Sequence, residues 1–113
     1  MKKSSLLENI LYNELKPSIA VLFETDTTKE IRIVFKKAQF MKEHKTPFPI
    51  TVEIFEGAID FGVNGTLYNL VKGDLVSLEA SIPHDLVAKK DSIVRLTLSK
   101  LDTVERVIKV TES

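Results

Sequence analysis

Two histidines carry most of the chemistry this sequence can offer. His44 and His84 are the only imidazoles in a chain of 113 residues, and there is no cysteine. Near neutral pH an imidazole is a metal ligand, a general base and a hydrogen-bond partner. The lack of cysteine removes disulfides, thiolate metal sites and a thiol nucleophile. His84 is followed directly by Asp85. Adjacent strand residues point to opposite faces, so these two do not form a catalytic pair. Ser77, Ser81 and Ser92 stand in no nucleophile-elbow pattern, and the 4 glycines do not cluster into a phosphate loop. Arg95 alternates with apolar neighbours and is expected to face solvent, the alternative being a pocket arginine that holds an anion.

The elements that must position these side chains are short and β-like. Residues 19–24 and 31–36 are apolar, rich in β-formers and separated by the turn signal of residues 25–29, which predicts a hairpin. Upstream, residues 6–12 are apolar at irregular spacing and predict irregular structure with a strand near residues 10–13. Pro47 and Pro49 keep the chain extended into residues 50–56, where Ile50, Val52 and Ile54 share one face. Gly57 marks a bend, and residues 58–63 form the next strand. Asn64-Gly65 is a strong hairpin signal before residues 66–71. Further strands are predicted at residues 75–78, 84–88 and 92–98, separated by a Lys72-Gly73-Asp74 turn, a loop over residues 79–83 and a turn over residues 89–91. In the tail, Leu101, Val104, Val107 and Ile108 have helical spacing, whereas residues 108–111 are β-like. Many short strands with evenly spaced turns predict an all-β jelly roll or closed barrel.

From residue 38 to residue 88 the chain resembles the cupin superfamily. The first motif of that family carries a glycine, two histidines one residue apart, a glutamate and a second glycine. His44 falls on the first histidine, Thr46 on the second, Ile50 on the glutamate and Gly57 on the closing glycine. The second motif is matched by Gly73-Asp74, then Pro83-His84, with Glu79 where proline is usual and Ser81 where glycine is usual. The resemblance implies one cupin-type jelly-roll β-barrel over residues 1–113, with its motif-bearing core at about 38–99. It also implies a homodimer, formed by strand exchange or sheet packing.

In metal-bearing members of that family three histidines and a glutamate hold a divalent ion. Here the resemblance carries only His44 and His84 onto those positions, because Ile50 cannot ligate and Thr46 is a poor ligand. Glu53 has the wrong strand parity to replace the glutamate, and Glu56 lies roughly 20 Å along the strand from Ile50. Glu43 and Glu79 are expected in loops near the mouth. Three readings follow. The first is a dimeric small-molecule-binding protein with a degenerate metal site, its pocket lined by Ile50, Val52, Ile54, Leu86, Val94 and the two histidines. The second is a metal-dependent isomerase or dioxygenase that uses His44 and His84 as ligands. The third is a structural or interaction protein with a filled barrel.

Composition narrows the partners. Lys plus Arg and Asp plus Glu are 16 each, so no net field draws the chain to nucleic acid or anionic lipid. Lys36-Lys37 and Lys89-Lys90 read as solvated edge charges. Glu8, Asn9 and Asn13 interrupt any signal-peptide core, and no apolar run reaches membrane-spanning length. A cytoplasmic location is expected. Phe35, Phe40, Phe48, Phe55 and Phe61 are expected in the core or at a dimer interface.

Overall fold

Alternation of apolar and polar residues produces nine strands in the computed structural model, which describes residues 1–100. They are β1 (Ser18–Glu24), β2 (Thr28–Phe35), β3 (Phe40–His44), β4 (Ile50–Glu56), β5 (Ala58–Val63), β6 (Thr66–Val71), β7 (Leu75–Leu78), β8 (His84–Ala88) and β9 (Ser92–Ser99). One sheet runs β1-β2-β9-β4-β7 and the other β3-β8-β5-β6. Every pairing is antiparallel. The expected β1–β2 hairpin is present, and so is the Asn64-Gly65 turn, with φ of 50° and 80° at its two residues. The alternative readings of the tail fall on residues outside those described.

The two inner faces make the core. Ile50, Val52 and Ile54 of β4 meet Leu98, Leu96 and Val94 of β9 across the ladder. They pack against Phe61 and Ile59 of β5 and Leu86 and Ala88 of β8. Phe35, Ile54, Ile59 and Val94 are fully enclosed. Each such side chain contributes about 1.5–3 kcal/mol on leaving water. Of the expected core phenylalanines, Phe35 and Phe61 are buried, Phe48 and Phe55 are half-buried, and Phe40 is exposed.

The outer face of the five-stranded sheet is covered too. Val34 and Ile93 pair across β2 and β9 on that face, and both are buried. Over them lies the N-terminal segment, held by Arg32. The Arg32 guanidinium is buried and donates from Nη1 to the carbonyls of Glu8 (2.7 Å) and Leu6 (3.3 Å), and from Nη2 to Asn9 (3.2 Å). Gln39 Nε2 adds a 2.6 Å bond to the Asn13 carbonyl. Residues 10–13 form no strand, and the segment is tied at residues 6, 8, 9 and 13 to side chains across the sheet surface, not to a neighbouring ladder.

Five strands face four, so β1 overhangs. Ile19 and Val21 sit opposite Ile33 and Ile31 and therefore on the inner face. No strand of the smaller sheet lies beneath them, and they remain 58% and 55% exposed.

Candidate functional site

His44 closes β3 and His84 opens β8, and the two are direct partners in the ladder. A register shift between Met41 and His44 brings His44 level with His84 despite the intervening pair of residues. The rings meet at a centroid distance of 4.3 Å with planes tilted by 60°. They sit at one end of the barrel, beside Val63 at the end of β5, which pairs with His84. Together with Ile50, Val52, Leu86, Val94, Met41 and Phe61 they line a recess of about 40 Å³. Ile54, predicted to line it, lies two residues deeper along β4, fully buried in the core and outside the recess wall.

The tautomer of each ring is fixed by a carbonyl two residues earlier in the chain. His44 Nδ1 lies 2.8 Å from the Lys42 carbonyl, and His84 Nδ1 lies 2.9 Å from the Ile82 carbonyl. A carbonyl only accepts, so both Nδ1 atoms carry the hydrogen and each neutral ring bears its lone pair on Nε2. Among the described residues neither Nε2 has a protein partner. Burial pushes the pKa of His84 below the usual histidine value, and His44 adds to the shift. The Ile82 carbonyl and Asp85 oppose it. Phe61 stacks on His84 with centroids 5.8 Å apart and planes 19° apart.

The residues at the other two positions of the resembled metal motif do not supply ligands. Ile50 is buried in the wall, and Thr46 turns its hydroxyl to the Phe48 carbonyl at 2.8 Å. The carboxylates lie elsewhere. Glu53 is on the outer face, where it pairs with Arg95 at 2.7 Å, and Glu56 pairs with Lys72 at 3.3 Å. Glu43 belongs to β3, not to a loop, and faces the surface hollow shared with Gly62 and Asp85. Glu79 is exposed in the β7–β8 loop. Among the described residues no three His, Cys, Asp or Glu side chains group as a metal site. Two imidazoles fall short of the three protein ligands usual even in an open catalytic site, so the donor set does not fit a four-ligand metal centre.

Arg95 faces outward, as expected, though not freely into solvent. It bridges Glu53 and Glu30 and donates to Thr97 Oγ1 at 2.8 Å. Sequence reasoning missed Phe61 and Met41 as neighbours of the histidine pair. The Asn64-Gly65 turn could have found Phe61, because it fixes the β5–β6 register that turns Phe61 inward. It also missed the Arg32 clamp, whose signal was a charge at an outward position of a strand whose neighbour Val34 is apolar.

The architecture is that of known proteins. The chain superposes on an RmlC-like cupin protein from Desulfovibrio desulfuricans with a TM-score of 0.81, at 22% identity over 88% of this chain and 96% of that one. It superposes on an uncharacterized conserved protein with a double-stranded β-helix domain from Klebsiella pneumoniae at 0.79, with 17% identity over 88% and 90% of the two chains. For KdgF from Halomonas sp. the score is 0.71, at 19% identity over 76% and 80%. The chain therefore has the cupin fold. No family model and no curated protein matches its sequence. Among the described residues no helix is long and apolar enough to cross a membrane.

Proposed function

We propose that this chain is a small-molecule-binding protein of cupin fold, acting as a homodimer, with the His44–His84 pair as its polar anchor. The observation that carries the reading is the pair itself. Two imidazoles meet at 4.3 Å in an otherwise apolar recess, and both Nδ1 atoms are committed to backbone carbonyls. Convergent polar groups in an apolar hollow are what a ligand site requires. The overhanging Ile19 and Val21 support the dimer, since a second copy would cover apolar surface that this copy leaves open.

The test titrates methanol and phenol into labelled protein and follows the Cε1–H resonances of both histidines. The reading expects saturable shifts that disappear in His84→Phe. If neither probe moves either histidine in the parent, the barrel is simply filled and the reading is wrong.

The metal-dependent alternative has one observation in its favour. Ligating histidines are commonly oriented by a bond from the other ring nitrogen to a carbonyl, as both are here. Elemental analysis of untagged protein, beside the His44→Ala/His84→Ala double variant, decides between the two. Metal at one ion per chain in the parent, lost in the variant, would transfer the assignment to an enzyme.

A further inference from the structure

A second cavity, of about 220 Å³, opens beside the histidine recess. It lies where the edge strands β6 and β7 diverge. Tyr68 of β6 and Val76 and Leu78 of β7 wall it, together with Phe61 and Val63 of β5. Phe61 lines the histidine recess as well, and its ring lies against His84. One side chain thus separates an apolar hollow with two polar groups and room for a single head group from an apolar cleft with room for a ring.

We propose that the cleft between β6 and β7 receives the apolar body of a ligand whose head group is held by His44 and His84. The ligand class is a neutral alcohol or phenol carrying a small ring or short chain. This rests on the reading of the histidine pair as a binding site, and it adds what that site selects.

The head group follows from the tautomers. Each Nε2 presents a lone pair, so the partner must donate a hydrogen bond. An anion would face two lone pairs. An ammonium would lose its hydration among apolar walls with no carboxylate to pair with, which is the costlier burial. A neutral hydroxyl brings no charge to desolvate and donates its one hydrogen to one of the two Nε2 atoms. Burial of His84 favours its neutral form and keeps it an acceptor at neutral pH. The body follows from the walls. An apolar cavity of roughly 150 Å³ already accepts benzene, so the cleft is large enough for one aromatic ring. The recess alone, at about 40 Å³, is not. Joining the two requires the Phe61 ring, which lines both, to turn aside.

The experiment titrates phenol and methanol into the full chain, reading the histidine Cε1–H signals and the methyl signals of Val63, Val76 and Leu78. Phenol is expected to move both sets with one dissociation constant, and to bind roughly 30-fold or more tighter than methanol because its ring leaves water. Methanol is expected to move the histidines alone. Val76→Phe, which fills the cleft, is expected to weaken phenol about tenfold or more and to leave methanol unchanged. Tyr68→Trp narrows the cleft from a half-exposed wall position. It reports the same loss if Val76→Phe does not fold. If phenol moves the histidines but not the cleft methyls, or if both variants keep the phenol affinity, the cleft proposal is overturned and the histidine site stands. If neither probe moves the histidines, the site itself falls and the cleft proposal with it.

Discussion

Replacing Gly57 by alanine tests how the bend after β4 is built. Gly57 has φ of +94°, in the left-handed region that costs an L-residue about 1–2 kcal/mol. A Cβ placed there would lie 2.2 Å from Ser92 Oγ, 2.5 Å from the Asp91 carbonyl oxygen and 2.7 Å from Ser92 Cα. Ser92 is fully buried. Its hydroxyl donates to the Lys90 carbonyl at 2.7 Å and accepts from the Ala58 amide at 3.1 Å. Displacing it leaves one of these buried groups unpaired, at about 1–3 kcal/mol. Against this, alanine stiffens the unfolded chain and returns about 0.4–1 kcal/mol. The expected net loss is about 2–4 kcal/mol, seen as a lower urea midpoint at unchanged m-value and a Tm about 10–20 °C lower. Adding Ser92→Gly should recover little of the loss, because it removes the same hydroxyl hydrogen bonds while the contacts with the Asp91 carbonyl and Ser92 Cα are backbone and stay. A loss under about 1 kcal/mol, or full recovery in the double variant, would refute the argument that backbone crowding at this bend requires glycine.

Three further outcomes are expected. Ser81 adopts φ of +64° in the β7–β8 loop, so Ser81→Gly relieves left-handed strain and should raise stability by about 0.5–1 kcal/mol in urea unfolding, net of the entropy glycine adds to the unfolded chain. The folded-state pKa of His84 is depressed, so the unfolded chain takes up protons first on acidification. Its stabilising contribution is complete above the ordinary histidine pKa of about 6.5 and falls as pH drops through the folded value. Urea midpoints should therefore decline from pH 7 to pH 5 less steeply in His84→Phe than in the parent, and equal slopes would contradict the burial of this ring. Arg32→Met removes the bonds to the carbonyls of residues 6, 8 and 9. It should raise chymotryptic cleavage at the exposed Leu11 and Tyr12 about tenfold through easier local opening, measured by mass spectrometry under native conditions.

Much of this architecture could be read from residue order because its signals are local. Alternation placed Ile50, Val52 and Ile54 on one face, and Asn64-Gly65 specified a tight turn through positive φ. Ser81 is instructive here. It replaces the glycine usual at that position of the resembled motif, and the backbone there is left-handed. The pairing of β3 with β8 was harder. It depends on a register shift within a five-residue strand, which no periodicity reveals, and that shift is what brings the two histidines level. The depth of the recess was also hidden. Parity identifies the face on which Ile54 lies, but not that the core closes before reaching it. The N-terminal segment was misread as part-strand on its apolar composition, whereas Leu7, Leu11 and Tyr12 stay exposed and a distant arginine holds the backbone.

That arginine grips its partner through main-chain oxygens alone. Every amino acid presents the same carbonyl, so the clamp does not distinguish one side chain from another at residues 6 and 8. Only Asn9, with φ of 54°, meets a conformational demand there. Tolerance is therefore one-sided. The strap can drift in sequence with little consequence for this contact, while position 32 is confined to a side chain that is long, forked and always charged. Variation in related chains should be free at residues 6 and 8 and scarce at residue 32, and a randomised library selected for folding should reproduce the same imbalance.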